Sequence, residues 1–442
     1  MSVQNSIIEQ EPYFNEMPVG QEVIFVVSNQ DAVANQTKVK FCAEVHISGL
    51  LPPNPSVSTD IIGTFKTTPN NAGVGIFDLR SIVENYVKAE NMAADGSQYK
   101  GTDTDADNRH PIHLIDWFSL NNNVVRYMAI VFYVEFLGAD DGINTVDPNR
   151  VVRAAGTEAT SDLFTLYNSY VKYTNELQLF QGDFGFNMTN FFPDDNLSPA
   201  PSGSSKKFLT NAPDTQYANV NDYGTVAFLA PNEIVADRVY QMSFTYYKTD
   251  GSTVSEVIGK GAVTGAYNYS TWNAEANKQL LFFGCFPGNL QNWSTIFQGL
   301  VAAGTIQGGY YTISTLDIAG ALSIKLYRIN VNCPNTKGYE SIRLAWLNQW
   351  GAWDYYTFTK KSIKTLSTEG STYTQLEGTW NEARYNIDSY KGGKKSFRVN
   401  STEKIKMNTG FVREDDTVMF EELINSPEVY LLKGYGDSGA AP

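Results

Sequence analysis

The sequence predicts a mainly β, multidomain chain built of β-sandwich modules, immunoglobulin-like or similar, with a few short helices. Three observations predict it. Aromatics make up 13% of the 442 residues, carried by 26 Tyr and 25 Phe, while long Glu/Lys/Ala/Leu runs are missing; such a composition suits strands and turns. Apolar residues alternate with a period of two in segments such as "KVKFCAEVHI", the spacing of a half-buried strand. Turn chemistry recurs between such segments, as in "PNNAG" and the Asp250-Gly251 pair. The length allows two to four domains at roughly 100–200 residues each. We place them at 1–150, 160–335 and 336–442, with "GADDGINTVDPNRVVRAAGTEATSD" as a linker.

In the first module, "QEVIFVVSN" is an apolar strand, and the next strand turns Val39, Phe41, Ala43, Val45 and Ile47 to one face. "IIGTFKTTPNNAGVGIFDL" gives strand, turn and strand. Leu79, Ile82, Val83, Tyr86 and Val87 stand at helical spacing, with Asp78 as the N-cap. A polar loop follows at 90–110. "HLIDWFSL" and the run Val124–Gly138 are strands separated by a hairpin-like "NNN".

The second module begins with a strand at "NSYVKYTNELQLFQG" and a Pro/Ser/Gly loop at 191–207. "TYYKTDGSTVSEV" is a hairpin turned by Asp250-Gly251. Leu290, Trp293, Ile296, Phe297, Leu300 and Val301 predict one amphipathic helix over Asn289–Gly304, ended by Gly304. "YYTISTLD" and "ALSIKLYRINVN" return to strand.

In the third module, "SIRLAWLNQWGAWDYYTFTKKS" reads as two strands with Gly351 at the turn. "KSFRVNSTEKIKMNTG" continues as strand. "REDDTVMFEELINSPEVYLL" is a helix and a strand. Glu414, Asp415 and Asp416 suit the positive end of the helix dipole, and Asn425-Ser426-Pro427 stops it.

No basic segment followed by an apolar run opens the chain, and no apolar stretch reaches the roughly 18–20 residues of a membrane helix. The expectation is a soluble protein made in a cytoplasm, with no membrane partner. Cys42, Cys285 and Cys333 lie far apart and are odd in number. They argue against a disulfide framework and read as buried apolar residues. The net charge is −14, and it divides as −14 over 1–336, +5 over 337–410 and −5 over 411–442. The basic block reads as solvated, or as docked on an acidic face of another copy. Overall acidity disfavours a nucleic-acid partner.

Chemistry-bearing motifs fail one by one. "DTDAD" lacks the Gly and Glu of a calcium loop, with Asn108 and Leu114 in their places. His110 and His113 have metal-like spacing, yet no cysteine lies near them to complete a zinc set. There is no nucleophile elbow, P-loop or dinucleotide fingerprint. No cofactor, metal or catalytic residue is assigned, and the chain reads as a non-enzyme. A hydrolase on a β scaffold would need a carboxylate pair, and none stands out among 47 acids.

Two features remain. "RLAWLNQWGAWDYYTFTKK" concentrates aromatics around Gly351. Most belong in a sandwich core; Trp350 and Trp353, beside the turn, are candidates to meet a neighbouring subunit, since aromatics are enriched in interface cores. "YKGGKKSFRV" is the densest basic patch and carries Lys391, Lys394 and Lys395. It reads as a glycine turn with lysines in solvent, the second candidate contact. An anion held against Gly392-Gly393 is the sharper alternative.

The stretches "LAWLNQWGAWDYYTFTKKSIKT", "YTQLEGTWNEARY", "YKGGKKSFRVNSTEKIKMNTGFV" and "FEELINSPEVYLL" occur in one order. They resemble structural proteins of tailed bacteriophages from marine and Bacteroidetes hosts, including crAss-like relatives. "TPNNAGVGIFDLRSIVENYV" is similar to the same group. The resemblance covers about 337–432 and 60–90. It implies a virion protein of the tail, assembled in the host bacterial cytoplasm, whose partners are its own copies and other virion proteins. It implies no catalytic residues. In that group more strand follows "SPEVYLL", which implies a last sheet completed by another chain or by further sequence. The competing reading is a carbohydrate-binding adhesin whose exposed aromatics stack on a host surface glycan.

Overall fold

The architecture comes from a computed structural model of the 442-residue chain. It describes residues 4–48 apart from 14, 61–87, 118–120, 124–137, 151–153, 158–170, 206–230, 241–259, 279–317, 320–333, 338–375, 377–379, 382–387, 393–409 and 411–432, with 53, 113 and 191 as single positions. The fold is mainly β, with several separate sheets and a few short helices. The chain forms two compact units. One takes residues 1–334, 343–356 and 413–442; the other takes 335–342 and 357–412.

The first half of the larger unit is a two-sheet sandwich. Strands β1 (Ile7–Gln10), β3 (Ile24–Ser28) and β6 (Val74–Asp78) make one sheet. The other runs β2 (Glu16–Pro18), β11 (Phe164–Tyr167), β8 (Val125–Leu137), β4 (Thr37–Ser48), β5 (Ile61–Thr67), with β9 (Val151–Arg153) and β10 (Ala159–Thr160) also on β8. Val39, Phe41, Ala43, Val45 and Ile47 of β4 are all buried, as alternation predicts. They meet Phe25 and Phe77 of the facing sheet, and the Phe25 and Phe132 rings lie 5.5 Å apart across the gap. Each such ring contributes about 1.5–3 kcal/mol through burial.

Helix α1 spans Gln30–Asn35 and is capped by Asn29. Helix α2 spans Arg80–Tyr86, and here the cap expectation is corrected. Leu79 is at the N-cap, while Asp78 Oδ1 accepts from the Arg80 amide, one residue early for a cap. Val83 and Val87 are buried, but Tyr86 faces solvent.

The second half of the larger unit packs three sheets round one core. Strands β12 (Thr215–Ala218), β18 (Tyr327–Val331), β17 (Tyr310–Leu316), β14 (Gln241–Tyr247) and β15 (Thr253–Gly259) form a five-stranded sheet in that order. Strands β13 (Thr225–Ala230), β16 (Gln279–Gly284) and β7 (Phe118–Leu120) form the second. The third is β20 (Trp353–Phe358), β19 (Ile342–Leu347) and β23 (Val429–Leu432). Phe228, Phe244, Phe282, Tyr311 and Tyr355 bring all three into contact.

The hairpin β14–β15 turns at Asp250-Gly251 as expected, with Gly251 at φ +83° and Asp250 Oδ1 accepting from the Ser252 amide. The single helix expected over Asn289–Gly304 is two: α3 (Pro287–Trp293) and α4 (Thr295–Ala302). Ser294 breaks them, because its hydroxyl accepts from the Phe297 amide as an N-cap and also donates to Glu256. The "NNN" hairpin is also corrected. Strand β7 pairs with β16, not with β8.

The three expected modules are interleaved. Strand β11 lies beyond 150 and completes the first sandwich, whereas β7 lies before 150 and joins the second core. Strands β19 and β20 also fill that second core, through Ala345, Leu347, Trp353 and Tyr355. Helix α5 (Asp416–Asn425) and β23 belong to the same unit. The third module therefore reduces to the smaller unit, whose main feature is β21 (Ile363–Gln375) paired with β22 (Gly393–Lys406).

Candidate functional site

Strands β21 and β22 make an antiparallel ladder of 13 and 14 residues, with no third strand among the described residues. Every residue of β21 but Gln375 is exposed, and every residue of β22 but Ile405. The sequence explains why. In "IKTLSTEGSTYTQ" neither alternate set is apolar: Ile363, Thr365, Ser367 and Glu369 share one face, Lys364, Leu366, Thr368 and Gly370 the other. No face drives burial within the chain.

Large apolar side chains nevertheless project from it. Leu366 and Phe397 are each 66% exposed, and Val399 is 62% exposed. Ile363 and Tyr373 are exposed too. Pairing of Leu366 with Glu403 and of Lys364 with Ile405 places Leu366 diagonal to Ile405 on one face, and Val399 follows opposite Gly370 on the same face. The register skips Phe397 between Arg398 and Ser396, so Phe397 is a bulge residue. Its ring lies 6.2 Å from that of Tyr373. Six Lys/Arg against two Glu make the ladder basic within an acidic chain. One cation is paired at the base, with Lys364 Nζ 2.7 Å from Glu340 Oε2.

Lys394 and Lys395 stand on this ladder, opposite Thr374 and Tyr373. Both are exposed, while Lys391 lies outside the described residues. Gly393, at φ +76°, opens β22, while residues 388–392 before it lie outside the described residues.

The tryptophans stand elsewhere. Trp353 is 3% exposed, with its ring 5.0 Å from His113 and 5.5 Å from Tyr430. It is a core residue, which removes it as a subunit contact. The turn at Gly351 folds it inward: Asn348 Oδ1 accepts from the Trp350 and Ala352 amides, and Gly351 adopts φ +83° against the Asn168 carbonyl. Trp350 is half-buried, 4.5 Å from the Phe191 ring. Strand β19 is buried on both faces, so alternation does not divide it into an inner and an outer side.

Two polar clusters are buried in the larger unit. His113 Nδ1 lies 2.8 Å from Tyr355 Oη, which also meets Thr225 Oγ1. Burial, and then the charge on Arg343, hold the imidazole down to about 3, so it is neutral. Arg343 is buried against Asp222 and donates to the Tyr223 carbonyl, with Phe286 and Tyr355 rings beside it. Asp354 and Glu422 are both buried. Asp354 accepts from Thr210, and Glu422 from Asn211 at 2.6 Å. Burial raises Asp354 to about 6. These residues tie β20 and α5 to the 210–211 segment; neither carboxyl opens to solvent.

His110 and the "DTDAD" acids lie outside the described residues. Among the described residues no group of three His, Cys, Asp or Glu is placed to hold a metal ion. No described helix is long and apolar enough to cross a membrane. Cys42 and Cys285 are buried as expected, but Cys333 is exposed, just past the end of β18.

Sequence reading missed Leu366, Tyr373, Val399 and Phe397 as surface residues. The available signal was the Ser/Thr-rich run 363–375, which supplies strand formers without an apolar face.

No family model matches this chain, and no curated protein matches it. The chain is similar to solved structures of alpha-2-macroglobulin from Escherichia coli, one trypsin-activated and one in the native conformation. Identities are 8% and 9%, with TM-scores of 0.18 and 0.17. The matches cover 90% of this chain but only 22% and 21% of those chains, so it spans about a fifth of their length. Likeness at that level carries no argument about fold or function.

Proposed function

We propose that this chain is a non-enzymatic structural component of a phage virion, placed in the tail as part of a ring, hub or tip. It acts through contacts with its own copies and with other virion proteins. One observation carries the contact reading: the β21–β22 ladder is solvent-exposed on both faces yet bears Leu366, Tyr373, Phe397 and Val399. A two-stranded ladder without a covered face is marginal in water. Its edges, unpaired among the described residues, and its apolar side chains call for cover by another chain. The basic charge of the ladder suits the acidic remainder of a second copy. A contact of that kind, repeated under symmetry, closes a ring. The phage assignment rests on the sequence resemblance over 337–432.

Immunogold labelling of particles from the source culture tests the placement. Label at one pole is the expected result. Label over the capsid moves the chain to a head fibre or decoration. Label on host cells with none on particles overturns the virion reading.

A further inference from the structure

The outer face of the five-stranded sheet carries side chains in register. Tyr217, Asn330, Tyr310 and Tyr247 stand opposite one another across β12, β18, β17 and β14. Thr215, Arg328, Thr312 and Thr245 form the next row. The other face of the same strands is core, with Ile329, Tyr311 and Tyr246 buried.

Within this face the arginine is already oriented. The Tyr310 ring stacks on Tyr247 at 4.4 Å and 12°. The Arg328 guanidinium lies 3.5 Å over Tyr310, and its Nε donates to Asn330 Oδ1 at 2.8 Å. Among the described residues its terminal nitrogens meet no acceptor and it makes no ion pair. Arg413 reaches the same cleft and likewise makes no ion pair among the described residues. Tyr217 is 53% exposed with no ring contact among them. Gly308 and Gly309 line one wall, next to the exposed Cys333. The cleft holds about 410 Å³, and no described carboxylate lines it.

Two arginines lining one cleft with no described carboxylate in its wall offer an anion site; the Asp416 carboxylate accepts from the Arg413 amide, at 2.8 Å, and does not line the cleft. A guanidinium takes a carboxylate through two parallel hydrogen bonds. The open Tyr217 ring offers an apolar face with a polar tip, and Thr215 and Asn332 supply partners for hydroxyls. The volume suits a small ligand. We propose that this cleft binds a carboxylate-bearing saccharide, with Arg328 and Arg413 on the carboxylate and Tyr217 stacked on the sugar ring. The proposal does not depend on the assembly reading.

The test uses the full chain and calorimetric titration with trigalacturonate, cellotriose and inorganic phosphate. Alkylation of Cys333 provides a second readout, since Cys42 and Cys285 are buried. Saturable binding of trigalacturonate, slower alkylation of Cys333 and binding of cellotriose at least about tenfold weaker are expected. Arg328→Gln, Arg413→Gln and Tyr217→Ala each weaken binding by about tenfold. All three replace exposed side chains, and an unchanged near-ultraviolet dichroism spectrum identifies folded variants. Absence of saturable trigalacturonate binding overturns the proposal. So does equal binding of cellotriose, or binding that survives all three substitutions. Phosphate binding as tight as trigalacturonate overturns the saccharide assignment.

Discussion

The five-stranded sheet and the β21–β22 ladder use similar residues to opposite ends. In β14, "QMSFTYY" buries every second side chain, and Met242, Phe244 and Tyr246 face the core. In β21, a strand of 13 residues against seven, no such alternation exists. The ladder pairs along 13 positions of β21, yet its apolar side chains Leu366, Phe397 and Val399 stay exposed. Backbone pairing therefore does not decide where a strand of this protein finds its stability. A covered face does, because a hydrogen bond exchanged with water contributes little net free energy while burial contributes much.

Truncating one aromatic in each region separates the two kinds of strand most strongly. Phe244→Ala removes a ring packed against Tyr246, Phe283 and Trp293. We expect a loss of about 3–5 kcal/mol in denaturant unfolding. Phe397→Ala is expected to change stability by less than about 0.5 kcal/mol. Phe397→Asp with Leu366→Asp is expected to abolish self-association in sedimentation while leaving the unfolding midpoint in place. Self-association that persists in this double variant removes the ladder from the assembly surface.

Buried ionisable groups give the larger unit a pH dependence. Asp354 is raised by burial to about 6, above its unfolded value. The folded chain thus holds a proton that the unfolded chain has released. The stability this gives is full below the unfolded value and is lost as pH rises through about 6. Asp354→Asn is expected to gain about 2 kcal/mol relative to the parent between pH 4 and pH 7. His113 works the other way. Its imidazole is held down to about 3, so its contribution is full above the unfolded value near 6.5 and is lost as pH falls. His113→Gln should therefore flatten the acid side of the stability profile. Parallel profiles for parent and both variants would count against these assignments.

Two glycines at positive φ separate a packed turn from an open one. Gly351→Ala combines a positive φ with a Cβ placed 2.7 Å from the Asn168 carbonyl oxygen. It should cost about 2–3 kcal/mol. Gly251→Ala meets open space at φ +83° and should cost about 1 kcal/mol. Thermal unfolding of the two variants should reproduce that order.

Local pattern carried much of the fold. The alternation of β4, the Asp250-Gly251 hairpin, the helix and strand at 416–432 and the mainly β class were legible, because each follows from near neighbours in sequence. Pairings were not. Strands β7 and β16 lie far apart in sequence, and no local periodicity names a partner. Ser294 split a well-spaced helix because its hydroxyl had both an amide and Glu256 within reach. The tryptophans of the candidate contact illustrate the same limit. Their proximity to Gly351 suggested an exposed turn, but the fold brings His113 and Tyr430 against Trp353.

Local pattern in the sequence set the alternating strand β4, the Asp250-Gly251 turn and the uneven charge. It also left the 363–375 run without an apolar face, which is why that ladder stays in solvent. Long-range packing put Trp353 in the core, carried β11 and β7 across the expected boundary, and brought Tyr217, Arg328 and Arg413 to one cleft. The reason is physical. Strand formation depends on residues a few positions apart, whereas burial and site assembly depend on which distant surfaces exclude water together.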